Sequence, residues 1–142
     1  MFRDILLPVD LNHDSSWRKS LPVALKLVEA FGARLHIMTV IPAFGMSIVG
    51  QFFPEDYEDK ALETARQALH RFSQDHLPEN VAAQHIVCHG TVYEEIIREA
   101  KAIGADLVVM TAHRPELRDY LLGPNASRVV RHAPVSVMVI RE

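Results

Sequence analysis

An α/β fold built on a five-stranded parallel sheet is what this sequence predicts, on three observations. Short apolar runs alternate along the chain with longer segments of helical period, which is the βαβ pattern. The runs are mostly continuous rather than alternating in hydrophobicity, as suits strands buried on both faces of a parallel sheet. At 142 residues the chain is near the usual single-domain size and long enough for a substantial core. The expected organisation is therefore one domain over residues 1–142.

The strands fall at about Phe2–Val9, Arg34–Val40, Ala83–Cys88, Asp106–Thr111 and Val135–Ile140. After the first, the polar cluster Asn12-His13-Asp14-Ser15-Ser16 offers N-caps for a helix from roughly Ser16 to Phe31, which ends before Gly32. Pro22 interrupts that helix, so a kink or a late start near Leu21 is expected. A second helix, roughly Glu55 to His76, has an acidic first turn and carries Tyr57, Ala61, Ala65, Leu69, Phe72 and His76 on one stripe. The third, Val92 to Ile103, places Val92, Ile96, Ala100 and Ile103 on one face before Gly104, and the fourth runs from Pro124 to about His132. Core packing suffices to explain these stripes. The segment Ile41 to Pro54 is long for a connection and apolar, which reads as a lid, a contact surface or a flap over its own core.

The chemistry concentrates in the final third. There the strand ending Val109-Met110-Thr111 runs into a polar loop, then into Gly123-Pro124-Asn125-Ala126 at a helix start, then into the last strand. The first N–H groups of a helix have no intrahelical partner, and the helix dipole adds partial positive charge there, so such a start can hold phosphate. Gly123 lets a ligand approach the main chain, and Pro124 suits the first helical position. Taken alone, Gly-Pro is also ordinary helix punctuation.

Several runs together resemble the universal stress protein family. Its hallmark is a Gly-x2-Gly-x9-Gly-Ser/Thr loop followed by a helix and a closing strand, and Arg128 to Val139 fits that tail closely. Ile5-Leu6-Leu7-Pro8-Val9-Asp10 is similar to the family's first strand. His89-Gly90, Glu94-Glu95-Ile96-Ile97 and Gly104 to Met110 match its middle, so the likeness covers essentially the whole chain. The loop departs from the pattern: Thr111 and Arg114 stand where the first two glycines are expected, eight residues separate Arg114 from Gly123, and Pro124 replaces Ser/Thr. This resembles a short-loop, UspF-type ATP-binding branch of the family.

The resemblance, with the right-handed crossover rule, implies a Rossmann-like three-layer α/β/α sandwich of the adenine nucleotide alpha hydrolase-like type, with strand order 3-2-1-4-5. Ligands then bind at the carboxyl ends beside the first and fourth strands. That crevice gathers Pro8, Val9, Asp10, Val40 and Met110 to Arg114. The family implies ATP there, with or without Mg2+. Asp10 would accept ribose hydroxyls or hold a metal on phosphate oxygens, unless it merely caps the turn. Val40 would read an adenine edge through its main chain, although a plain strand end looks identical in sequence. Main-chain groups around Gly123, Pro124, Asn125 and Ala126 would meet the phosphates, with Thr111 and Arg114 facing them and His113 beside the nucleotide. Pro124 removes one N–H and one hydroxyl, which the Arg114 guanidinium and the Asn125 amide can replace, unless Arg114 is simply a solvated loop residue. The family also implies a homodimer through the last strand, or a tetramer of two such dimers.

Composition limits the alternatives. Fifteen basic against eighteen acidic residues leave a net charge of −3, with no basic run for nucleic acid. The lone cysteine, Cys88, rules out an intrachain disulfide framework and is compatible with a reducing compartment. No apolar run approaches a membrane span and no basic leader is seen, so a soluble cytoplasmic protein is expected. Among the eight histidines, His85 and His89 share a strand face while Cys88 points the other way, which argues against a zinc site. No Gly-x4-Gly-Lys-Ser/Thr and no evident base are present, so the chain reads as at most a slow ATPase. The competing reading is a dimeric interaction module of the same fold that has lost nucleotide binding.

Overall fold

The computed structural model describes residues 1–42, 57–112 and 124–141. Strands β1 (Asp4–Pro8), β2 (Arg34–Pro42), β3 (Ala83–Gly90), β4 (Leu107–Ala112) and β5 (Ser136–Arg141) form one parallel sheet in the order β3-β2-β1-β4-β5. The helices are α1 (Ser20–Phe31), α2 (Tyr57–His76), α3 (Val92–Ala102) and α4 (Pro124–His132), and a 3-10 turn at Asp14–Ser16 precedes α1.

Strand alternation divides the core in two. Ile5, Leu7, Leu35, Ile37, Leu107 and Val109 pack with Leu21 and Ala24 of α1 and Leu69 and Phe72 of α2. Leu6, Met38, Cys88, Val108 and Met110 pack on the other face with Ile96 and Ala100 of α3 and Ala126 and Val129 of α4. Both faces are thus covered, which is why the strand sequences read as continuous apolar runs.

Local chemistry sets the helix ends. α1 takes the later of its two expected starts, because the polar cluster goes into the 3-10 turn and Pro22 then falls in the first turn, where its missing N–H costs no helical bond. Gly32 closes α1 with φ +62°, a left-handed conformation that glycine adopts freely. α3 ends one residue before the expected Ile103, and α4 spans the expected residues. Residues 55 and 56, expected in the second helix, lie outside the described residues, as does most of the Ile41 to Pro54 segment.

Polar ties at the amino ends of the strands register β1 against its neighbours. The Asp106 carboxylate accepts the Arg3 N–H at 2.9 Å and the Asp4 N–H at 3.1 Å. Asp4, 7% exposed, receives the Arg34 guanidinium at 2.9 Å and stands 2.9 Å from His36 Nε2, while His36 Nδ1 meets Gln84 Oε1 on β3. Burial alone would raise the Asp4 carboxyl, but the hydrogen bonds from His36 and Arg34 and their charges outweigh it and hold the group below its ordinary value.

A carboxyl held low in the fold stabilises the protein above its unfolded pKa near 3.9, and that contribution disappears as pH falls through the lower folded value. Asp4→Asn should therefore lower the urea midpoint at pH 7, with the gap to wild type narrowing below about pH 4. A gap that stays constant down to acid pH would refute the assignment. Asp106→Ala should cost about 2 kcal/mol at neutral pH by the same measurement, since two backbone donors lose a charged acceptor.

Candidate functional site

The site is a notch made by unequal strand lengths. β1 pairs with β2 over five residues, from Asp4↔Arg34 to Pro8↔Met38, and Val9 extends this ladder by donating to the Met38 carbonyl at 2.8 Å. Its pairing with β4 covers Ile5↔Leu107 and Leu6↔Val108 alone. Because successive residues face opposite edges of a strand, Pro8 faces β4 when Val9 faces β2, and proline has no N–H to give. The central strand therefore stops early on its β4 side. β2 continues past the Pro8 level to Pro42, supported by β3 as far as Pro42↔Gly90. β4 continues through Thr111 and Ala112, supported by β5 at Ile140 and Arg141.

Main-chain groups consequently line the gap. The alternation that aims the Met38 carbonyl at β1 aims those of Val40 the same way, past the end of β1 and into the notch. The resulting cleft has a volume of about 880 Å³. Nine of the twelve sequence-predicted residues line it: Pro8, Val9, Asp10, Val40, Met110, Thr111, Pro124, Asn125 and Ala126. The other three, His113, Arg114 and Gly123, lie outside the described residues.

Asp10 and Thr111 are each already bonded. Asp10 Oδ1 accepts the Asn12 N–H at 3.0 Å and Oδ2 meets His13 Nδ1 at 3.1 Å, so the carboxylate does cap its turn, while about half of its side chain stays exposed to the cleft mouth. The Thr111 hydroxyl donates to the Ser16 carbonyl at 2.9 Å. A hydroxyl has one proton, so in this arrangement Thr111 offers the cleft lone pairs and no donor. Across the notch, α4 begins at Pro124, and its first turn presents the Asn125 and Ala126 N–H groups without help from proline.

One wall was missed by the sequence reading. α2 has 20 residues and so extends about 30 Å, well beyond the roughly 17 Å of the five-residue β1. Leu69 and Phe72 anchor its carboxyl half on the sheet, and Trp17 packs edge-on against Phe72 with ring centroids 5.0 Å apart. Its more amino-terminal part reaches past the end of β1, and Tyr57, Lys60, Ala61, Thr64, Ala65 and Ala68 line the cleft. The signal was present in the stripe itself: where its carboxyl half carries Leu and Phe, its amino half carries Ala, as a wall facing a cavity requires.

β3 lies apart from this chemistry. His85 and His89 both face α2, with His85 Nε2 2.6 Å from Ser73 Oγ and His89 Nδ1 3.1 Å from Glu58. Burial, aided by the charge of His70, pushes His85 below the ordinary histidine value, which favours a neutral ring accepting from Ser73. Cys88 faces α3 and donates to Glu99 Oε1 at 3.5 Å. Among the described residues no group of three or more His, Cys, Asp or Glu side chains is placed to hold a metal ion, and no helix is long and apolar enough to cross a membrane.

Fold and site together define a doubly wound α/β protein with a cleft at its topological switch point. The universal stress protein family model matches residues 1–141. The chain belongs to the universal stress protein family. It is 31% identical to universal stress protein G of Escherichia coli O157:H7, over 99% of this chain and all of that protein. The solved structure of MJ0577 from Methanocaldococcus jannaschii superposes with a TM-score of 0.73 at 24% identity, covering 100% of this chain and 97% of that one. A universal stress protein crystallised in complex with cAMP superposes with a TM-score of 0.62 at 20% identity, covering 99% and 97%.

Burial, followed by the negative charge of Glu99, pushes the Cys88 thiol up to about 12. Native protein at pH 8 should therefore resist a thiol reagent such as dithionitrobenzoate and react once urea unfolds it. Rapid labelling without denaturant would show that the contact between β3 and α3 opens.

Proposed function

We propose that this universal stress protein binds an adenine nucleotide, ATP, in the notch beyond β1 and acts as a nucleotide-dependent regulator of the stress response. The observation that carries this reading is the convergence of three kinds of group on one cleft. These are the Val40 main chain for a base edge, the Asp10 carboxylate for ribose, and the start of α4 for phosphate. The family member in complex with cAMP, itself an adenine nucleotide, supports the choice of base. Catalysis is at most slow in this reading, since the sequence carries no Gly-x4-Gly-Lys-Ser/Thr motif. Arg114 and Asn125 supply phosphate donors where Pro124 supplies none, and Mg2+ would ride on the phosphates. We place the protein in the cytoplasm. Its edge strand β5, paired on one side by β4, joins two copies into a homodimer.

Titration calorimetry with ATP, with and without Mg2+, tests the nucleotide reading directly. Binding at or below millimolar ATP is expected. No heat, with an empty notch in soaked crystals, would overturn it and leave the dimeric interaction module. Pro124→Ser should tighten ATP by up to about tenfold through one added hydrogen bond to a charged group, and Arg114→Ala should weaken it. Ala65→Leu should abolish binding while leaving thermal stability nearly unchanged, because the added atoms enter the cleft rather than the core. Light scattering after gel filtration checks the dimer, which a monomer would refute.

A further inference from the structure

We infer that Thr111 is a positioning residue, whose hydroxyl bond to Ser16 across the notch holds the Asp10 carboxylate where a bound ribose meets it. This rests on the nucleotide reading above. Direction is the first ground. Leu107 and Val109 pack with α1 and α2, whereas Val108 and Met110 pack with α3 and α4, so Thr111 continues the α1 side and points away from the start of α4. Its proton goes to the Ser16 carbonyl at 2.9 Å, a link between residues 95 apart in sequence.

Connectivity is the second ground. Ser16 Oγ accepts the Asp10 N–H at 2.8 Å and lies 2.8 Å from the His13 carbonyl and 3.1 Å from that of Asp10. The Asp10 carboxylate in turn takes the Asn12 N–H and meets His13. The turn from Asp10 to Ser16 is thus closed on itself, and Thr111 fastens this closed unit to β4. Displacements of about 1 Å are enough to degrade a positioned contact. Thr111 therefore acts on the ribose side of the ligand, through Ser16, and leaves phosphate to the start of α4.

The test compares ATP with 2′,3′-dideoxy-ATP, which lacks the hydroxyls a carboxylate would accept from. Thr111→Val should weaken ATP about tenfold while leaving dideoxy-ATP within about twofold, and Thr111→Ser should restore ATP. Ser16→Ala, acting at the other end of the relay, should give the same ribose-restricted loss. Equal losses for both nucleotides would mark a merely structural residue, and no loss for either would also overturn the assignment. Wild type that binds neither nucleotide would defeat the nucleotide reading instead. The strut is then judged by amide exchange at His13 and Ser16, which Thr111→Val must accelerate, and unchanged exchange would overturn it.

Discussion

The early end of the central strand is the constraint on which the rest depends. β1 is buried on both faces and paired on both edges, yet it stops at Pro8 while β2 and β4 run on. Had β1 continued, its backbone would have satisfied Val40 and closed the space between β2 and β4. Instead, a residue that cannot donate faces β4 where the ladder ends, and the chain turns away through Asp10. The main chain of the longer strands, which β1 no longer pairs at this level, then faces a cleft. Buried polar backbone is tolerated poorly unless something else bonds it, so the notch calls for water or a ligand carrying its own donors and acceptors.

Keeping that notch open requires support from outside it. β3 and β5 hold the overrunning ends of β2 and β4 from their far edges. The turn after Val9 is held by Ser16 and Asp10, and Trp17 pins its far end against Phe72 on α2. An edge-to-face aromatic pair of this kind contributes about 1 kcal/mol beyond its burial. At the opposite ends of the strands, Asp106, Asp4, Arg34 and His36 fix the register that decides where β1 stops. A slip of one residue would turn Leu6 and Leu7 to each other's cores and move Pro8 out of place.

Much of this was legible in the sequence because it depends on period and punctuation. Continuous apolar runs marked all five strands, and α4 was bounded by Pro124 and the Ala133-Pro134 that follows it. The strand order was not legible from period, since it needed the family likeness and the crossover rule. Two kinds of feature escaped altogether. The amino half of α2 was read as core because a stripe records which side of a helix is apolar but not whether a sheet lies beneath it. The length of α2 against that of the short β1 held that information. The link between Thr111 and the 3-10 turn escaped for a different reason: a hydrogen bond spanning 95 residues leaves no local mark.

Thr111 illustrates how the same residue type serves differently once its face is known. On a linear reading it stands in a phosphate loop, opposite a helix start, and a hydroxyl there looks like a donor. The sheet gives it the parity of Val109 and so turns it toward α1, leaving Met110 to face α4. The cleft is thereby divided by the plane of the sheet. The turn from Asp10 to Ser16 and the cleft-lining part of α2 belong to one side, and the α4 amino terminus belongs to the other. In the proposed nucleotide complex the ligand would cross the carboxyl edge of β1, with its ribose over Asp10 and its phosphates toward Asn125 and Ala126. A nucleotide has that order of groups, and on that proposal the donors missing at Pro124 would weaken one side of the plane without touching the other.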